Sequence, residues 1–455
     1  MQYTYEEVLS TIENSRRFGK YTGYEVSSNI LETLGHPEHG LPFVHVAGTN
    51  GKGSTTAFIC KILEQTGMKV GMFTSPHLVE FGERIRINGV YIPKEDITRI
   101  GNRLLNTEFQ LTPTMFDYCM AMAVLYFKEQ GCDIAVMETG IGGRYDSTNA
   151  LGIPEVAVIT KIGLDHTAIL GDTIEEIAGE KAGIMKEGCP VVISPQQESV
   201  RNVLLENFHE VNHKQKWNDT ADALELPEEG AFYEVSEKDL EYVAGLPMKM
   251  LGGFQLENAA TAVLAARVIL RKWSAYGKLP VTLFSHGNEM CTDEQIESYI
   301  REGIAKTYWK GRMELINKHP FFMIDGAHNA HGVHALASSL KELYPGEKFH
   351  FIMAVMADKD YEDMIGELLP LALDFVTVTP ESNRALQSED LAECIAKKGI
   401  QATYAKNMES VIRPLLPQEV SESENSHVLS KEKTIAFGSL YFIGAIEAML
   451  EENRR

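Results

Sequence analysis

A diffuse positive field is the first thing this 455-residue sequence lacks: 42 Lys and Arg stand against 64 Asp and Glu, a formal charge of −22. Broad-surface nucleic-acid binding is thereby excluded, and an anionic ligand has to be held by local positive groups and metal against the overall field. No run of about 18 apolar residues is present to suggest a membrane span, and MQYTYEEVLSTIENSRR is polar and acidic at its start, unlike a signal peptide. Cysteine is sparse. Cys60, Cys119, Cys132, Cys189, Cys291 and Cys394 form no CxxC pair and sit mostly in apolar surroundings, the pattern of reduced core thiols in a cytoplasmic protein. Internal repeats are also missing at the scale of about 20–50 residues.

What is there is globular in composition, 44% hydrophobic and 23% charged. The length exceeds the roughly 250–300 residues one core usually supports, so two domains are expected. Strand–helix alternation restarts near Phe321, which puts the boundary at 305–312 and the domains at 1–308 and 309–455. Both read as α/β, with mostly parallel sheets.

The densest chemistry lies in FVHVAGTNGKGS, Phe43 to Ser54. An apolar strand run ends in a glycine-rich turn, and a helical pattern follows through Phe58, Ile59, Ile62 and Leu63. Gly48, Gly51 and Gly53 let backbone N–H groups approach a phosphate, Lys52 adds a point charge, and the helix N-terminus turns its dipole to the anion. Ser54 places a hydroxyl where Mg²⁺ is usually held. The common phosphate-loop pattern has four residues between its first Gly and its Gly-Lys pair; here only Thr49 and Asn50 intervene, and Gly53 separates Lys52 from Ser54. Nucleotide phosphate binding is the expectation.

Around this loop the reading assigns a helix from Tyr5 to about Phe18, a Gly/Tyr/His-rich loop, a strand at Lys69–Phe73, and a long loop from Thr74 to Ile92 that runs into a hairpin at Asn88-Gly89. No element is assigned from there to Thr114, where a helix resumes to Glu129. Asp133–Thr139 and Val156–Ile162 are buried strands. Glu138, ahead of Gly140, Gly142 and Gly143, and Asp165-His166 then follow strand ends, where open α/β sheets bind ligands. Glu138 is a metal-ligand candidate; His166 is equally a metal or substrate residue or a structural one. Lys181 lies in an amphipathic helix from Thr173 to Lys186, where the pattern alone favours a snorkelling lysine. Residues 200–245 are polar and acidic, and NDTADALELPEEG (218–230) within them looks like a surface excursion. Leu251–Leu270 is a glycine loop entering a long helix, with Asn258 able to cap or to contact a base. A further helix spans Asp293–Lys306.

In the second half, strands read FFMID, FHFIMAVMA, DFVTVTP, QATYA and TIAFG, with Glu419–Lys433 as a flexible connector. Polar residues cluster at their ends: Asp325 and His328; Asp358, Lys359 and Asp360; Ser382, Asn383 and Arg384. With Arg312 just ahead, these suggest a second domain that closes over the nucleotide.

GTNGKGS (48–54), TSPHL (74–78), ETGIGGRYDSTN (138–149), LDH (164–166), EKAGI (180–184), GR.E (311–314), DGAHN (325–329), ADKD (357–360), SNRA (382–385) and FGSLYF (437–442) occur in that order. Together they resemble the folylpolyglutamate synthase/dihydrofolate synthase family of the Mur ligase superfamily, over nearly the whole chain. The resemblance implies a P-loop ATPase-like N-terminal domain and a smaller Rossmann-like C-terminal domain. It implies an ATP-driven amide synthesis with Mg²⁺ as cofactor: a folate carboxylate takes the γ-phosphate, and L-glutamate then displaces it. Carried over by motif, Gly48, Thr49, Asn50, Gly51, Lys52, Gly53, Ser54, Asn258, Arg312 and Asp325 bind ATP, with Lys52, Lys181, Asp325 and His328 catalytic. Ser75, Glu138 and His166 hold one Mg²⁺ and Ser54 lies near a second; Lys181 is carbamylated; His77, Arg84, Phe116 and Asp146 lie on the pteridine side. Two departures stand out: Asp117 replaces the Glu of Thr-x-Phe-Glu, and Phe254 replaces the His of His-Gln. A monomer acting on tetrahydrofolate is expected. The alternatives are dihydropteroate as substrate, a Mur-type peptide ligase, disfavoured because about forty residues precede the first strand, and a nucleotide switch without ligation.

Overall fold

Largely apolar runs such as FVHVA, IAVME and VAVI, broken only by His45 and closed by Glu138, form strands buried at every position, as a parallel sheet covered on both faces requires. The computed structural model describes residues 1–15, 24–212, 230–277, 279, 291–417 and 432–453. It divides into two units, Met1–Lys249 with Gln255–Thr307, and Met250–Phe254 with Tyr308–Arg455.

The first unit runs α1 (Tyr5–Glu13), α2 (Glu25–Thr33), β1 (Phe43–Ala47), α3 (Lys52–Glu64), β2 (Val70–Phe73), β3 (Ile85–Ile87), β4 (Val90–Tyr91), α4 (Lys94–Leu105), α5 (Met115–Glu129), β5 (Ile134–Glu138), β6 (Val156–Ile159), α6 (Thr167–Leu170), α7 (Ile174–Ala182), β7 (Val191–Ile193), α8 (Glu198–Val211), β8 (Phe232–Glu234), α9 (Glu237–Ala244), α10 (Gly253–Ala275) and α11 (Asp293–Lys306). Its sheet order is β4-β3-β2-β5-β1-β6-β7-β8. The six strands from β2 to β8 pair in parallel, and the β3–β4 hairpin adds an antiparallel edge. Parallel pairing brings the carboxyl ends of β1, β2, β5 and β6 to one edge of the sheet, where ligands bind in open α/β folds.

Packing holds that edge in place. Helix α5 is buried from Cys119 to Phe127, and Gly71 of β2 leaves room for the Phe127 ring, which a Cβ would meet at 2.8 Å. Behind the phosphate loop, α11 packs on α3 through Gly303, whose Cβ would lie 2.5 Å from the Ile62 Cα.

Several expectations need correction. Helix α1 ends at Glu13 rather than Phe18, and residues 16–23 lie outside the described residues. Helix α2 stands where a loop was expected, and α4 fills the unassigned stretch, its Ile97, Ile100 and Leu104 at helical spacing and buried. Helix α7 stops at Ala182, with Gly183 as its C-cap, packed against Arg144 with no space for a Cβ. On either side of the acidic stretch the 200–245 region adds regular structure: α8 buries Val200, Leu204 and Phe208, and β8 extends the sheet, Val192 pairing with Tyr233. The acidic NDTADALELPEEG stretch lies outside the described residues apart from Gly230.

The second unit contains β9 (Glu314–Lys318), β10 (Phe321–Ile324), α12 (Ala330–Leu343), β11 (Phe349–Met353), α13 (Tyr361–Leu368), β12 (Ala372–Thr377), α14 (Ser388–Lys397), β13 (Ala402–Tyr404), α15 (Met408–Ile412), β14 (Lys433–Phe437) and α16 (Leu440–Asn453). The order is β13-β12-β11-β14-β10-β9. The five expected strands are parallel; β9, unassigned from sequence, pairs antiparallel with β10. The expected connector Glu419–Lys433 lies outside the described residues up to 431. Met250–Phe254 joins this unit: the Gly253 amide donates to Ser339 Oγ at 3.1 Å and Phe254 packs on its apolar core. A packing role accounts for an aromatic hydrocarbon at 254 in place of a polar ring.

Candidate active site

The turn after β1 is fastened from two sides. Thr49 and Asn50 donate their amides to the Lys161 carbonyl at 3.0 and 3.1 Å, and Thr160 Oγ1 donates to the Asn50 carbonyl at 2.7 Å. Gly48 passes so close to Thr160 that a Cβ would lie 1.9 Å from Oγ1; Gly51, left-handed at φ 87°, would place one 2.1 Å from Asn258 Oδ1. Only glycine fits at these approaches. Gly51 is the N-cap of α3 with no side-chain cap, so the first-turn amides of α3 are offered to an anion. Asn258 holds Gln255 (Nδ2 to Oε1, 2.9 Å), and Gln255 Nε2 reaches Ser54 Oγ at 3.4 Å. Thr160 and Gln255 were not singled out from sequence; the one signal for Thr160 is a hydroxyl closing an apolar strand run.

Two lysines share one acceptor here. Lys52 Nζ donates to the carbonyls of Gly48 (3.0 Å) and Thr49 (3.2 Å). Lys181 Nζ donates to the same Gly48 carbonyl at 2.8 Å. Lys181 is not a snorkelling residue: it is 4% exposed. Burial, then the Lys52 charge, bring its amine down to about 7, with Asp165 and Asp146 pulling the other way. The turn after β5 docks against this helix end. Arg144 donates its amide to the Glu180 carbonyl at 2.7 Å, and a Cβ on Gly143 would come within 2.7 Å of the Lys181 carbonyl.

Glu138 closes β5, with its carboxylate buried and Oε2 accepting the Ser75 amide at 3.1 Å. His166 follows β6 as an exposed residue in the left-handed region, φ 52°, its amide bound to Asp165 Oδ1 at 2.9 Å. Ser54, Ser75, Glu138 and His166 therefore occupy the carboxyl edge of the sheet. The loop after β2 is shaped by a residue outside the expected set. Buried Glu83 accepts the amides of Leu78, Val79 and Glu80 at 2.8–2.9 Å. Arg84 Nε donates to His77 Nδ1 at 2.8 Å, which places the His77 proton on Nε2. Burial, then Arg84, take His77 down to about 4 against the opposing Glu83 charge, so it is neutral at physiological pH.

The carboxylates of Asp117 and Asp146 turn inward. Asp146 accepts the amides of Gly140 (2.8 Å) and Ile141 (2.9 Å) on Oδ2, and the amide (3.0 Å) and hydroxyl (2.5 Å) of Thr148 on Oδ1. Burial raises its carboxyl and these bonds resist the rise. Its place is to hold the glycine turn, and the neighbouring Phe116 ring lies against Phe73 at 5.5 Å. Asp117 accepts from Ser27 Oγ and from Ser147 Oγ at 2.6 Å, and from the Thr114 amide and hydroxyl at 2.8 and 2.7 Å. The shorter carboxylate at 117 thus ties α2, α5 and the residue after Asp146 together. Asp117→Ala should lower the unfolding free energy by about 3 kcal/mol, since it strands buried donors; urea denaturation measures it, and a change under about 0.5 kcal/mol, the scale of ordinary surface substitutions, would contradict this role.

In the second unit, Asp325 follows β10 and is buried; its carboxylate accepts the amides of Met313 and Ala327, both at 2.8 Å. Burial raises the carboxyl, opposed by Arg312 and the two amides. Arg312 Nη1 lies 1.9 Å from where a Gly326 Cβ would be. His328 Nδ1 stands 2.8 Å from the Gly326 carbonyl, which can only accept, so Nδ1 carries the proton. Arg312, Asp325 and His328 are thus brought to one strand end. Asp358 and Arg384, from different motifs, meet in an ion pair at 2.6 Å.

The Mur ligase middle domain model matches residues 46–266, and the Mur ligase glutamate ligase domain model matches 311–430. A dihydrofolate synthase/folylpolyglutamate synthase of Bacillus subtilis is 35% identical over 463 residues, covering 98% of this chain and 99% of that relative. The chain belongs to the folylpolyglutamate synthase/dihydrofolate synthase family. Among solved structures, the folylpolyglutamate synthase of Thermotoga maritima aligns with a TM-score of 0.73 at 27% identity, covering 98% of this chain and 96% of the other. FolC of E. coli, in complex with DHPP and ADP, aligns with a TM-score of 0.76 at 25% identity, covering 100% and 99%. In this folyl ligase family member, the middle-domain match begins within β1 and takes in the phosphate loop, Glu138, His166 and Lys181, while the glutamate-ligase match begins at Gly311 and takes in Asp325 and His328. Among the described residues, no helix is long and apolar enough to cross a membrane.

Proposed function

We propose that the chain is an ATP-dependent ligase that joins L-glutamate to the γ-carboxylate of tetrahydrofolate through an acyl phosphate, releasing ADP and phosphate. The observation that carries this reading is the pair of lysine amines on the Gly48 carbonyl of a phosphate loop; it stands in a chain similar over its whole length to a Bacillus subtilis dihydrofolate synthase/folylpolyglutamate synthase. In this reading residues 1–308 bind ATP and folate, and residues 309–455 carry the glutamate-ligase function.

The amides of the α3 first turn hold the phosphates, and Lys52 exchanges two carbonyls for phosphoryl oxygens. An oxygen of the folate carboxylate attacks the γ-phosphorus as the bond to the ADP oxygen breaks. The neutral amine of glutamate then attacks the acyl carbon, the C–O bond to phosphate breaks so that phosphate leaves with the former carboxylate oxygen, and the new amide nitrogen loses a proton. Asn258 joins this nucleotide set; Arg312, Asp325 and His328 are assigned a nucleotide role by their family motifs, and the His328 proton is already on Nδ1. His77, Arg84 and Phe116 serve the pterin side, and Asp146 fixes the turn beside them. Ser75, Glu138 and His166 would hold one Mg²⁺, a set that includes one buried carboxylate and suits a hard cation, and Ser54 would lie near a second. When bound, Mg²⁺ supplies charge neutralisation on the phosphoryl oxygens. The reading extends to a cytoplasmic location, supported by six free cysteines of which Cys60, Cys119, Cys189 and Cys291 are buried.

A second reading, dihydropteroate as substrate, is favoured by the two activities in the name of the Bacillus subtilis relative and by the DHPP in the E. coli complex. The deciding measurement is ATP-dependent phosphate release, run in parallel with tetrahydrofolate and with dihydropteroate, with and without glutamate. Release that needs both tetrahydrofolate and glutamate is expected. Turnover as fast without glutamate would sink the ligase reading, and turnover confined to dihydropteroate would replace the substrate.

A further inference from the structure

The turn between α2 and β1 carries ligating side chains that the ligase chemistry does not use. It lies at the amino end of β1, roughly 16 Å of strand away from the phosphate loop at about 3.3 Å per residue. Ligand atoms of His36, Glu38 and His39 lie within 4.8 Å of one another, and among the described residues this is where three His, Cys, Asp or Glu side chains converge so closely. His36 Nδ1 is 2.9 Å and His39 Nε2 is 3.7 Å from Glu38 Oε1. The two imidazoles stack with centroids 4.6 Å apart and planes within 4°.

The turn is built rather than loose. His36 donates its amide to the Leu31 carbonyl at 2.8 Å, His39 to His36 at 3.1 Å, and Leu41 to Glu38 at 3.0 Å. Lys128 Nζ pins the His39 carbonyl at 2.6 Å, at the cost of a positive charge near the turn. His36 itself takes a left-handed conformation, φ 57°, which is uncommon outside glycine though more frequent for His than for most residues. Glu38 is the second, independent observation. Its side chain is 10% exposed, and its Oε2 is buried with no hydrogen-bond partner. A buried carboxylate oxygen left unsatisfied points to an unplaced water or ion.

We propose that His36, Glu38 and His39 bind a divalent transition-metal ion of the zinc class. Two imidazole nitrogens and one carboxylate suit Zn²⁺ or Co²⁺ rather than Mg²⁺. Ligands at Zn–N and Zn–O distances of about 2.0–2.2 Å stand roughly 3.3 Å apart on a tetrahedron, a spacing bracketed by the 2.9 and 3.7 Å from each histidine to Glu38; the stacked rings turn out of parallel on binding so that both lone pairs meet the ion. The histidine side chains are 46% and 73% exposed, which leaves a path for the ion and a position for water. The bound ion ties the end of α2 to the entry of β1 and stabilises the first unit.

The test titrates Co²⁺ into the full-length chain, with Zn²⁺ as competitor, in the native protein and in His36→Asn and His39→Ala; asparagine tolerates the left-handed backbone at 36. A visible d–d absorption that saturates at one Co²⁺ per chain, is displaced by Zn²⁺ but not by excess Mg²⁺, and weakens at least about 10-fold in each variant is the expected result. Zn²⁺ should raise the melting temperature of the native chain and not of the variants, while metal-free ligase activity stays the same in all three. Equal affinity in the native chain and both variants, or displacement of Co²⁺ by Mg²⁺, would overturn the proposal.

Discussion

Lys52→Ala is expected to lower glutamate-dependent ATP turnover by about 10³-fold while leaving the fold intact. Preorganised donors aimed at developing charge carry effects of this order. The ammonium now donates to Gly48 and Thr49 at 3.0 and 3.2 Å, so it is held at the turn before any phosphate arrives. Its removal costs stability only modestly, about 1 kcal/mol, because the group is half-buried and its acceptors are backbone carbonyls. Circular dichroism and the melting temperature should therefore stay near those of the native chain while kcat collapses. Native turnover in this variant would refute the phosphate role.

The same substitution acts on a second residue. The Lys52 charge is one of the two causes that lower the Lys181 amine, so Lys181 in the Lys52→Ala chain should be more basic. Any function that needs the neutral Lys181 amine then requires a higher pH. A steady-state profile of residual activity reads this coupling directly.

Lys181→Ala carries the second large effect: loss of activity of about 10³-fold, again on the scale of a lost charged group in the site, that added bicarbonate does not restore. The proposed carbamate forms when the neutral Nζ attacks CO₂, making an N–C bond and releasing one proton. An amine at its ordinary value of 10.5 would be almost wholly charged near neutrality, whereas burial and Lys52 bring this one to about 7. Intact-protein mass spectrometry should find one added CO₂ on Lys181, with occupancy and activity falling as pH drops through about 7. A fully active Lys181→Ala chain would discard the idea.

Stability follows the same shift in CO₂-free buffer. Between about 7 and 10.5 the unfolded chain holds a proton on Lys181 that the folded chain lacks, so stability rises with pH across that window, by about 1.4 kcal/mol per pH unit for this group. Below the window both states are protonated and the full cost of the buried charge is felt. Lys181→Met removes the group and this slope, and should be most stabilised relative to the native chain at pH 6. Urea midpoints at pH 6 and pH 9 measure it.

Much of the fold was legible because its signals are local. Unbroken apolar runs such as Val156–Ile159 cannot face water and must enter a parallel sheet, and Gly48, Gly51, Lys52 and Ser54 are close enough in the chain to state a phosphate loop without a partner. The antiparallel edge β9 and the short outer strand β8 escaped because brief edge strands, partly exposed, carry weak patterns. Ten ordered motifs determined the ligase family, since each supplies its own residues in order. Only the tertiary structure decided what those residues face. It turned Asp146 into its own loop, tied Asp117 of α5 to Ser27 of α2, made His77 neutral against Arg84, and buried Lys181 on the carbonyl that Lys52 also holds. The reason is physical: identity and spacing travel with the sequence, but burial, hydrogen-bond partners and the proton affinities they set arise when distant segments meet, as Gly48 and Lys181 do across 133 positions.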